Sequence, residues 1–125
     1  MNTGKFSWKA RGRSFLYAFA GIKALISGEH NAWIHCSATL IVIAAGIFLG
    51  LAPYEWCIIS ICIGGVFMAE GFNSAIEALA DKTCQTPDPL IKRAKDMAAG
   101  AVLLFVIGAA TAGMIIFIPK IINLL

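Results

Sequence analysis

Charge is what this sequence has least of. Only 14% of its residues are Asp, Glu, Lys or Arg, against about 25% in an average soluble domain. That supply is too small to cover a globule. With 59% hydrophobic residues and a mean hydropathy of +0.81, the chain reads as a small integral membrane protein. Other absences narrow the reading further. The opening "MNTGKFSWKARGRSF" is polar and basic with no apolar region behind it, so no cleavable secretory signal is expected. Cys36, Cys57, Cys62 and Cys84 form no CxxC pair and no zinc spacing. Three of them lie in apolar stretches, where cysteine behaves as a small hydrophobe. There is no GxxxxGK[ST] loop, protein-kinase glycine loop or GxGxxG fingerprint, so any nucleotide binds without those phosphate cradles. Neither an internal repeat nor a low-complexity segment is present, and no nucleic-acid partner is expected. The length fits one domain over 1–125.

What is there is long and apolar. Spanning a bilayer takes about 20 apolar residues, and three stretches suffice, at about 32–51, 56–80 and 97–118. The third is interrupted by Pro119 and Lys120. An all-α membrane fold follows. Before the first span, Phe15, Phe19, Ile22 and Ile26 recur at helical spacing among Lys9, Arg11, Arg13 and Lys23. From Trp8 to Ser27 this predicts an amphipathic helix lying at the membrane surface, within an interfacial region over 1–30. Basic residues precede the first span and fill the loop after the second (Lys82, Lys92, Arg93, Lys95), while the "APYE" turn has none. By the positive-inside rule the N-terminus and second loop face the cytoplasm, as in a multi-pass protein of the bacterial inner membrane. Lys120 falls at the outer end of the third span, where it can snorkel.

Against this background the run "AEGFNSAIEALAD" needs a reason. Asn73, Ser74, Glu77 and Asp81 follow Glu70 at offsets of 3, 4, 7 and 11, which puts all five on one helical stripe. At about 1.5 Å per residue the stripe is roughly 16 Å long. A charge at the bilayer centre costs about 3 kcal/mol on insertion scales, so the stripe should face protein rather than lipid. A polar seam between helices would account for Asn and Ser, but glutamates are an expensive choice for one. Glu70, the deeper carboxylate, could accept a proton. Glu77 could help hold Mg²⁺, which takes oxygen ligands and often only one or two protein carboxylates beside phosphate oxygens. Glu29 lies on the same side and is a natural second ligand. In "IKRAKDMAAGAV", Lys92 and Arg93 suit anchoring, whereas Lys95, beside Asp96 and level with Glu77, could neutralise nucleotide phosphates. A non-catalytic scaffold or a proton conductor is the competing class. Span three offers only Thr111 for such a path.

"EGFNSAIEALAD" together with "RAKDMAAGAV" resembles the small prokaryotic diacylglycerol kinase family, which includes the undecaprenol kinases. The resemblance covers nearly the whole chain, with Phe72 and Ala80 replacing aliphatic residues usual in the motif. It implies an ATP- and Mg²⁺-dependent lipid kinase. Glu70 would be the catalytic base, and Glu29 and Glu77 would bind the metal. Tyr17, Lys95, Asp96 and the loop residues Thr86 and Asp88 would contact ATP. Glu70, Asn73 and Ala99 would meet the lipid acceptor. It also implies a homotrimer with active sites shared between subunits. Diacylglycerol is the expected acceptor, giving phosphatidic acid. Undecaprenol comes second, suggested by Asn31 and His35 in "GEHNAWIH".

Overall fold

The computed structural model describes residues 4–125, and four helices account for almost all of them. They are α1 (Trp8–Gly28), α2 (His30–Leu49), α3 (Pro53–Thr83) and α4 (Pro89–Leu124). The last three are each long and apolar enough to cross a membrane. A helix forms where the N-terminal one was expected, as α1, and its first turn is capped by Ser7 Oγ accepting from Ala10 N at 3.3 Å. None of its residues is buried. The first three positions of the predicted interfacial region lie outside the described residues.

The connections are short for local reasons. Glu29, in an extended conformation, ends α1 and begins α2 by itself. Beneath that corner, Trp33 Nε1 donates to the carbonyl of Ile26 at 2.9 Å, filling one of the acceptors a helix end leaves open. At the far end of α2, Gly50 takes a left-handed conformation (φ 72°), and the amides of Gly50 and Leu51 both return to Gly46 O. Pro53 then occupies the first turn of α3, where its missing N–H is harmless. Asp88 caps α4 ahead of Pro89, its Oδ1 accepting from Leu90 N (2.8 Å) and Ile91 N (3.1 Å).

α3 and α4 form an antiparallel pair in close contact. At its middle the Phe105 ring lies over Gly65 so tightly that any β-carbon there would collide with it. α1 leans on the same pair through Leu25, which faces Gly71. A small apolar cluster of Leu51, Ile59 and Ile116, joined by Trp56 and Phe117, closes the Gly50 end. Outside it, most large apolar side chains point away from the bundle, among them Leu40, Ile47, Leu104 and Ile115.

The helices outrun the predicted spans at several ends, α4 most of all, since it begins at Pro89 rather than near 97. α3 begins at Pro53 rather than at Trp56. α4 continues through Pro119 to Leu124, where an interruption was expected. Proline removes one backbone hydrogen bond but does not force an end on a helix whose flanking turns remain bonded. Lys120 lies at the same end of α4. Its Nζ pairs with Glu55 Oε1 at 3.0 Å.

Candidate functional site

The polar stripe forms as its spacing requires, because residues 70–81 lie within the unbroken helix α3. Its deepest member, Glu70, is 6% exposed. Glu70 Oε1 lies 2.9 Å from His35 Nε2, which α2 supplies. His35 is half-buried, its ring edge-on to Phe67 at 6.3 Å. No other hydrogen bond to the Glu70 carboxylate occurs among the described residues.

One turn further along, Asn73 Nδ2 donates to Glu77 Oε1 at 3.3 Å. The other end of that amide, Oδ1, is buried with no partner. A buried carbonyl oxygen without a donor is costly, so this position is set up to receive one from outside the chain. At the end of the stripe Lys95 Nζ reaches Asp81 Oδ1 at 2.8 Å, close enough also to feel the Glu77 carboxylate. Asp96 is not joined to Lys95. It pairs instead with Lys92 at 2.6 Å, one turn back on α4 and in the open.

Glu70 opens into a cavity of about 270 Å³ that Ala99, Val102 and Leu103 of α4 share with Asn31 and His35 of α2. Next to it lies a larger cavity of about 430 Å³, almost wholly aliphatic, and His35 and Val106 border both. A carboxylate at the head of an apolar channel suits an acceptor with a polar end and an oily body.

The remaining residues sit at varied distances from this centre. Ala99 lines the Glu70 cavity. Glu29 occupies the α1–α2 corner, half-buried, with no hydrogen bond to the α2 amides it precedes. Tyr17 lies exposed on α1. Neither makes a hydrogen bond or ion pair with the stripe. Thr86 and Asp88 stand in the α3–α4 connection, where Asp88 is occupied as a helix cap and Thr86 O accepts from Cys84 Sγ. No cluster of three or more His, Cys, Asp or Glu side chains able to hold a metal occurs among the described residues. Glu77 and its hydrogen-bonded neighbour Asn73 nevertheless offer oxygens of the kind that suit a hard cation keeping most of its shell as water and phosphate. The partnerless Asn73 Oδ1 is consistent with such a shell.

Two partnerships were not readable beforehand. His35 is singled out in the sequence only as a hint of the acceptor, and nothing in the spacing ties it to Glu70. Glu55 and Lys120 are each a single charge at a span end, 65 positions apart in the chain.

Comparison with known proteins agrees with the motif. The family described as prokaryotic diacylglycerol kinase matches residues 16–117. An undecaprenol kinase of Bacillus subtilis (strain 168) is 40% identical over 108 residues, covering 86% of this chain and 88% of that protein. A diacylglycerol kinase of Synechocystis sp. is 34% identical over 113 residues, 90% of this chain but 65% of the longer relative.

Proposed function

This chain belongs to the prokaryotic diacylglycerol kinase family, and on that footing we propose that it phosphorylates a polyprenol, undecaprenol, at the expense of ATP. Its three apolar helices and its family together make it a multi-pass membrane protein. The order of acceptors expected from the sequence is thereby reversed. The relative matched along most of both chains is named for undecaprenol, and diacylglycerol becomes the second reading, supported by the Synechocystis relative.

The observation that carries the reading is the buried Glu70 carboxylate lining a cavity whose α4 wall is aliphatic. In the reaction the acceptor oxygen forms a bond to the γ-phosphorus as the bond from that phosphorus to the β,γ-bridging oxygen breaks, releasing ADP. The hydroxyl proton passes to Glu70. Most of the acceleration in such transfers comes from alignment and charge neutralisation. Glu29 and Glu77 would hold Mg²⁺, which would offset the phosphate charge when bound with ATP. Lys95 would add a cation at the same end, and Asp96, Tyr17, Thr86 and Asp88 would contribute to the nucleotide side. Asn73 and Ala99 would border the acceptor. The basic end of the bundle faces the cytoplasm and its ATP, with α1 along that surface of the inner membrane. Assembly into a trimer would cover the outward apolar side chains and complete the site.

The test is ATP-dependent phosphorylation of undecaprenol and diacylglycerol, side by side in mixed micelles with Mg²⁺, for wild type and Glu70→Gln. Transfer to undecaprenol above diacylglycerol, reduced about 10²- to 10⁴-fold in the variant, is the expected result. Preference for diacylglycerol would restore the second reading. Transfer to neither, from a folded oligomer, would sink the kinase.

A further inference from the structure

We infer that His35 is the positioning residue for Glu70: its imidazole holds one carboxylate oxygen so that the other meets the acceptor hydroxyl. The inference rests on Glu70 acting as the base. Its ground is the 2.9 Å contact between His35 Nε2 and Glu70 Oε1, made between two helices. An ionised carboxylate only accepts hydrogen bonds, so Nε2 carries the hydrogen and donates it. Oε2 makes no hydrogen bond among the described residues, and the walls that α4 offers at this point are Ala99, Val102, Leu103 and Val106. His35 is thus the one polar group of another helix, among those described, that restrains Glu70.

That restraint has a chemical use. A carboxylate at the end of a flexible side chain in an apolar cavity has little to fix its torsion, and a misplacement of about 1 Å can cost roughly 10²-fold in rate. A neutral imidazole can orient it without the cost that a permanent cation would bring. A lysine or arginine in that place would stabilise the carboxylate against accepting a proton. The position also matters: His35 borders both the Glu70 cavity and the larger aliphatic one. It therefore stands where the polar end of an acceptor would meet its apolar body.

The experiment compares His35→Leu and His35→Gln in the full-length oligomer, each with Glu70 and with Glu70→Gln, measuring kcat and KM for lipid and for ATP. Gln can place an amide N–H near the imidazole Nε2 position, whereas Leu cannot donate. A loss of about 10²-fold in kcat for His35→Leu is expected, with KM for ATP unchanged and most of the rate restored in His35→Gln. In the Glu70→Gln background the Leu change should add nothing. Independently of turnover, ¹⁵N NMR of the ring, with His30 replaced by Gln to leave one histidine, should show the neutral Nε2–H form, and its shift should move in Glu70→Gln. Wild-type kcat in His35→Leu would overturn the inference, as would equal losses in Leu and Gln or a ring signal indifferent to Glu70. Full activity in Glu70→Gln alone would instead remove the base itself, which separates failure of the premise from failure of the inference.

Discussion

Two carboxylates on α3 are almost equally buried, Glu70 at 6% exposure and Glu55 at 7%, yet they are held in opposite ways. Glu55 Oε1 accepts from Lys120 Nζ at 3.0 Å and from its own helix start, Ala52 N, at 2.9 Å. It closes the first turn of α3 and ties that turn to the far end of α4. Glu70 has a single hydrogen-bond partner, the His35 imidazole, and an adjoining cavity. Burial alone therefore does not mark a site. A carboxylate tied to a cation and a backbone amide is structural, while one left with an open oxygen and room beside it is available for chemistry.

The largest effect should come from Glu70→Gln, which keeps the shape and the His35 contact but removes the basic oxygen. Turnover should fall about 10²- to 10⁴-fold, with an unchanged oligomer on size exclusion. A variant as active as wild type would erase the distinction from Glu55. Next is Asn73→Leu, beside Glu77. Supporting partners of a metal ligand typically contribute 10- to 100-fold to affinity, so a drop of about that size is expected in an Mg²⁺ titration of activity.

Gly65→Ala acts on the frame that carries both carboxylates. The new methyl would strike Phe105, and overpacking of this kind costs about 1–3 kcal/mol, visible as earlier thermal unfolding. The companion change Phe105→Leu should relieve part of it. The smallest effect on activity is expected for Glu55→Gln. It should lower the unfolding temperature because Lys120 loses its counter-charge, and leave kcat nearly unaltered. Adding Lys120→Met should recover some of the loss. A large fall in kcat would mean that the two ends of α3 are more tightly coupled than their contacts indicate.

The frame and the stripe were legible for the same reason. Helical periodicity is local, and α3 keeps Glu70, Asn73 and Glu77 on one face whatever packs against them. The kinks and pairings were not. Pro119 reads locally as a stop, but the helix around it remains bonded and continues. Lys120 reads as a snorkelling end charge, and only the fold brings Glu55 to it. Asp88 is expected from the resemblance as an ATP contact, and in the fold its carboxylate is taken up as the cap of α4 ahead of Pro89. The His35 contact depends on how α2 is rotated against α3, which no spacing within one segment records.

The ion pairs at the two ends of the α3–α4 pair also set a length. From Glu55 to Asp81, at about 1.5 Å per residue, α3 runs roughly 39 Å, close to the ~40–45 Å of a bilayer with its headgroups. Glu55–Lys120 and Asp81–Lys95 would then each lie at one headgroup layer, and the stretch between them is a ruler built into the chain. A thinner membrane must be met by tilting that ruler. Tilt would change how far Glu70 stands from the Asp81–Lys95 end of the bundle, making acyl-chain length a setting of the carboxylate's depth rather than a passive surrounding.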